Sequence, residues 1–343
     1  KLVHAKTKNL VISGMSWLSA TKPSPPPAAR DALPPPEQAI IFACLFAGLF
    51  GLISVQRKRG KGYWLPTCAE KREYEVWVLL YSVVWMGSFA VIIAAQLFEL
   101  FGALEYLLVC GGLALPLLLQ PFLWRGSEGK KVALFEQHAM RAQIWIALFS
   151  FVGNYWYTHY FYAVLEARYS MPSWRVNDVP IAMYFATHFY FSTYHVLAGL
   201  ALRKVTSSFE AGTTRTALYW YAVLTMAYCT AFMETLTICH YPYYSFADRR
   251  MAYTVGSAFY GIYFLVSYPA YAVIDEPPES AQPRTPQQKV AWTTPPTPRS
   301  PMQQVVWSSL GTGMLVLILL DFGRLATRTP LQIGGVAFEA TDV

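Results

Sequence analysis

The chain has 343 residues, of which 55% are hydrophobic, 16% aromatic and only 14% charged. Soluble domains carry roughly a quarter charged residues, so a water-soluble fold of this size is excluded. The net charge of +7 would suit a nucleic-acid partner, but the basic residues lie between apolar runs and not on one polar face, so no nucleic acid is expected.

In chain order, the first 37 residues read as a Pro-rich linker, with seven prolines between Lys22 and Glu37. The chain begins at Lys1 rather than Met, so a start further upstream is expected. An apolar segment at 39–56 follows, ending on the basic stretch Arg57-Lys58-Arg59-Gly60-Lys61. It is short for a span, and membrane helix, anchor and removable targeting segment all stay open for it. Seven longer runs then follow, at 76–98, 100–124, 143–165, 180–202, 216–238, 253–274 and 305–323. Each is apolar and long enough to cross a bilayer as a helix.

The expected fold is therefore all-α: a polytopic membrane bundle of seven helices, with an eighth left open. The division is 1–37 linker, 38–69 extra apolar segment, 70–274 core, 275–304 Pro-rich loop, 305–325 last core helix and 326–343 tail. Gly111, Gly112, Pro116 and Pro121 predict a bend or break late in the second long helix.

If all eight runs cross, Lys and Arg number 6, 4, 3 and 3 in alternate loops and 0, 2, 2 and 2 in the others, tail included. The basic side is then cytosolic, and the C-terminus lies opposite. The five cysteines form no metal-ligand spacing, and no metal is expected.

Ionisable groups inside spans are costly and often functional. Here they are Glu105, His159, His188, His195, Glu234 and Asp321, with Gln96 and Asn154 as neutral companions. Glu105, His159, His188 and Glu234 come out at one depth, in the half of the bilayer away from the cytosol. His195 falls in the other half, and Asp321 has Arg324 close by as an ion-pair partner. Asn154, Tyr155, Trp156 and Tyr162 surround His159, while Tyr184 and Phe191 share a helix face with His188. These six read as substrate-binding rings and polar groups. The aromatic belt of a membrane interface explains part of the same pattern.

Several motifs then become recognisable. FSFVGNYWYTHYFYAVL (149–165), YSMPSWRVNDVP (169–180), ATHFYFSTYHV (186–196), AFMETLTI (231–238) and ILLDFGRL (318–325) resemble the cycloeucalenol cycloisomerase family. ELFGALEYLL (99–108) and YPYYSFADRRMAYTVGSAFYGIYFLVSYP (241–269) do so too, whereas the region through Thr67 and the insert at 275–301 have no counterpart there.

The resemblance implies opening of the 9β,19-cyclopropane ring of a cycloeucalenol-type sterol to the Δ8 sterol obtusifoliol, in the endoplasmic reticulum membrane. Such a step delivers a proton to C19 and removes one from C8, with no cofactor. A carboxylic acid buried in apolar surroundings can stay protonated at neutral pH. Glu105 and Glu234 are therefore candidates for the acid, and His159 and His188 for the base or a relay. The partners expected are the sterol and membrane lipid, with no obligatory protein. A dihaem electron carrier and a non-catalytic sterol binder are the alternatives.

The loop at 275–301 has few core-forming residues, Val290 and Trp292 among them. Shortening it to a flexible linker is expected to leave activity within about twofold of wild type in membrane assays.

Overall fold

The computed structural model describes residues 34–157, 167–241, 243–246, 248–274, 301–327, 331–333 and 336–338. The Pro-rich segments at 1–33 and 275–300 lie outside them. The described residues are mostly helical. Their main helices are α1 (Glu37–Ser54), α2 (Ala69–Ala94), α3 (Ala103–Leu123), α4 (His138–Val152), α5 (Ile181–Ser208), α6 (Thr213–His240), α7 (Ser257–Tyr271) and α8 (Met302–Thr327). Five of them, α1, α2, α3, α6 and α8, are long and apolar enough to cross a membrane.

Several ends differ from the apolar runs. α2 starts at Ala69, seven residues before the expected 76, because Ala69-Glu70-Lys71-Arg72-Glu73 is polar yet made of strong helix formers. α3 continues unbroken through Pro116 and Pro121, where the expected feature was a bend or break. Membrane bundles tolerate such prolines because neighbouring groups satisfy the freed backbone. α4 passes into a π-helical turn at Gly153–Tyr157, and another, Ala252–Gly256, leads into α7.

Small strands, not anticipated from the sequence, close the loops. β1 (Arg168–Tyr169) pairs antiparallel with β4 (Tyr244–Ser245), and β2 (Arg175–Val176) with β3 (Val179–Pro180). Asn177 and Asp178 turn the second pair with φ of 51° and 62°. Asn and Asp tolerate this left-handed region, which two-residue hairpin turns require. Near the C-terminus β5 (Leu331–Ile333) pairs with β6 (Val336–Phe338).

α5 is central, with contacts to α2, α3, α4, α6 and α7, while α7 packs most extensively on α6. One end of the bundle gathers three loops. β1 meets β4 there, and the Tyr106 and Tyr241 hydroxyls hydrogen-bond at 2.8 Å. The other end gathers the basic loops: Lys58 bridges to Phe209, and Glu73 accepts from Ser127. α1 leans on α6, where Gln38 and Tyr228 exchange hydrogen bonds of 2.9 and 3.2 Å and Phe42 meets Phe232 edge-on at 4.9 Å.

At the basic end, charges that the sequence places in loops are buried. Arg203 of α5 grips Glu75 of α2 through two hydrogen bonds, of 2.8 and 3.1 Å, and also donates to the Trp64 carbonyl. Lys71 stands 3.8 Å from the same carboxylate. Glu70 accepts from the backbone N–H of His138 at 2.7 Å, which ties α2 to the start of α4.

Candidate functional site

α6 carries Glu234 about one and a half turns from its C-terminal end. Its neighbours are apolar or aromatic, and two phenols are aimed at it. Tyr260 of α7 donates to Glu234 Oε2 at 2.9 Å, and Tyr194 of α5 makes a second hydrogen bond. One turn away on α6, Thr230 bonds the Tyr268 hydroxyl at 2.8 Å. The pairs Thr230/Glu234, Tyr190/Tyr194 and Tyr260/Tyr268 are each four or eight residues apart, so each helix presents one continuous stripe to the carboxyl. Phe264 fills the stripe on α7, stacked on Tyr268 at 5.3 Å and edge-on to Tyr194 at 5.7 Å. Glu234, Tyr190, Tyr194 and Tyr260 all keep some accessible surface.

The β1–β4 pair lies beside this group. Tyr169 and Tyr244 face each other across it with ring centroids 5.1 Å apart, and Tyr244 donates to the Met183 thioether at 3.4 Å. Burial, then the Glu234 carboxyl, push the Tyr169 hydroxyl above its usual range. Tyr244 is raised by burial first and then by Tyr169, Tyr190 and Glu234. The site is therefore a carboxyl on α6 enclosed by phenols from two other helices, α5 and α7, and one strand pair.

The other expected residues are placed differently. Glu105 sits in the first turn of α3, exposed, and accepts from the Gly102 N–H at 2.8 Å as a helix cap. His188 is buried and bonds Gln143 at 2.7 Å, and Gln143 in turn donates to Tyr74 at 3.1 Å. On α5, His188 and His195 share one face, while Tyr190 and Tyr194 lie on the opposite one. Glu234 is thus met by the tyrosine face. His159 and Tyr162 lie outside the described residues.

Asn154 is buried, donating to Ser150 O and accepting from Thr187. Tyr155 packs on Phe151 and Trp156, and Trp156 is exposed. Tyr184 donates to Val176 O at 3.0 Å and packs on Phe151. These four form one group where α4 meets α5. Phe191 belongs to the core around His195, whose ring nitrogens meet Phe191 O and Ser267 Oγ at 2.8 and 2.9 Å. Asp321 pairs with Arg324 at 3.4 Å, as its spacing suggests.

No hydrogen bond joins any two of Glu105, His188 and Glu234 among the described residues. The tyrosines around Glu234 lie off the helix faces that carry the histidines, so the histidine positions give no sign of them. The signal that finds them is the four-residue spacing on α5 and α7. Among the described residues no group of three or more His, Cys, Asp or Glu side chains could hold a metal ion.

No protein-family model and no solved structure match this chain. A curated cycloeucalenol cycloisomerase of Arabidopsis thaliana is 35% identical to it over 274 residues, which is 76% of this chain and 88% of that protein. Identity of this extent over three quarters of the chain shows the relationship: the chain belongs to the cycloeucalenol cycloisomerase family.

Proposed function

We propose that this protein is a sterol isomerase that opens the 9β,19-cyclopropane ring of cycloeucalenol-type sterols to give obtusifoliol. The supporting observation is Glu234, a carboxyl held by Tyr194 and Tyr260 inside the apolar bundle of a family member. The proton goes from Glu234 to C19 as the C9–C19 bond breaks and positive charge develops at C9. Loss of the C8 proton then leaves the C8–C9 double bond. The two phenols stabilise the carboxylate that remains on Glu234 after transfer. Nearby rings, Phe264 among them, offer their negative faces to the cation.

Glu105 is engaged as a helix cap, so the acid role goes to Glu234. The base or relay role goes to His159, because His188 faces away from Glu234 on α5 and is engaged by Gln143. The reaction moves protons only and needs no cofactor. The setting is the endoplasmic reticulum membrane, crossed by α2 to α8 with the basic loops in the cytosol. α1, anchored on α6, forms an eighth crossing.

The test is to supply cycloeucalenol to membranes containing the protein. A product of unchanged mass with a Δ8 double bond is expected, and activity should persist after chelation. In deuterated water one deuterium should enter the C19 methyl. Sterol recovered unchanged would make the protein a binder, and haem absorbance after purification would make it an electron carrier. Either result overturns the proposal.

A further inference from the structure

Beyond Glu234, the structure holds a second polar position at the end of α6. Tyr241 caps that helix seven residues after Glu234, about 10 Å further along its axis toward the loop end. Its hydroxyl bonds that of Tyr106 at 2.8 Å, and Tyr106 in turn donates to the Phe98 carbonyl at 3.3 Å. A phenol has one proton to donate. With the Tyr106 proton on Phe98, the Tyr241 proton goes to Tyr106, and the Tyr241 oxygen presents its lone pairs. Tyr241 keeps accessible surface, whereas Tyr106 is buried.

The two positions are continuous. Tyr244 packs on Tyr241 at 6.0 Å and lies in the field of Glu234, and Cys110 of α3 neighbours both Tyr190 and Tyr241. A rise of about 10 Å along the helix axis is of the order of the span from the 3-hydroxyl to C19 of a sterol with a polar contact at each end.

We propose that Tyr241, oriented by Tyr106, is the acceptor for the 3-hydroxyl of the sterol substrate. It fixes ring A toward the loop end and lays the side chain toward the bundle centre. This inference rests on the reading of the site as a cyclopropyl sterol pocket. It has a chemical consequence. An acceptor selects a hydroxyl, which can donate, and rejects a 3-ketone or 3-methyl ether, which cannot. A sterol in a bilayer also sits with its hydroxyl at the interface, so the substrate enters without inverting.

The experiment compares cycloeucalenol with its 3-ketone in membranes bearing wild-type protein, Tyr241→Phe or Tyr106→Phe. Wild type is expected to favour the alcohol by about tenfold or more in kcat/KM. Tyr241→Phe should raise KM for the alcohol about tenfold while kcat changes little, and the preference over the ketone should collapse. Tyr106→Phe, which keeps the ring packing, should move the preference the same way by a smaller factor. Equal handling of alcohol and ketone by wild type overturns the inference and leaves the isomerase reading standing. A Tyr241→Phe variant that loses both substrates in proportion, or retains the full preference, also overturns it. Failure of wild type to convert the alcohol at all overturns the functional reading, and this inference with it.

Discussion

Replacing Glu234 by Gln is expected to lower kcat for cycloeucalenol by about 10²- to 10⁴-fold, the usual contribution of a positioned proton donor. The amide keeps the size and polarity of the side chain and can still accept from Tyr260, so the α6–α7 contact should survive. It cannot deliver a proton to carbon. Tyr260→Phe removes one of the two phenols that steady the carboxylate and should cost about tenfold. The measurement is turnover at saturating sterol, normalised to correctly folded protein on size-exclusion chromatography. A Glu234→Gln variant within tenfold of wild type would sink the assignment of the acid.

The second large effect concerns folding rather than chemistry. Arg203→Met is expected to destabilise the protein by about 3–5 kcal/mol, because it leaves Glu75 buried without its bidentate partner. That is a large share of the roughly 5–15 kcal/mol that holds a typical domain together. Lys71 is on hand at 3.8 Å but does not reproduce the forked geometry of a guanidinium. The double variant Glu75→Leu with Arg203→Met removes both charges and should recover much of the loss. Thermal unfolding in detergent reads the difference. If Arg203→Met melts with wild type, the pair is incidental to stability.

The membrane character and the family were legible from the residues alone. Long apolar runs have one economical solution, a helix that satisfies its own backbone where water is absent. The alternation of basic loops also foreshadowed which loops share an end, and the pairings of β1 with β4 and of Lys58 with Phe209 agree with it. Glu234 stood out because a carboxylate within such a run is rare.

Function at a given residue was less legible. Glu105 and Glu234 read alike as carboxyls in apolar runs, yet one caps a helix and the other is enclosed by phenols. The difference is where α3 begins, which a run of apolar letters does not mark. Glu75 and Arg203 lie just outside the apolar runs, where nothing in the sequence marks them as partners, and only the meeting of α2 with α5 buries them.

The choice of face on α5 is the clearest case. In a soluble protein the apolar stripe of a helix points inward, and sequence periodicity reveals it. In a bilayer the lipid is as apolar as the core, so both faces can be hydrophobic and the period loses its meaning. The sequence could say that His188 and His195 share one face and Tyr190 and Tyr194 the other. Which of the two meets Glu234 was decided by the packing of α5 against α6 and α7, where a tyrosine hydroxyl finds the carboxyl as its acceptor.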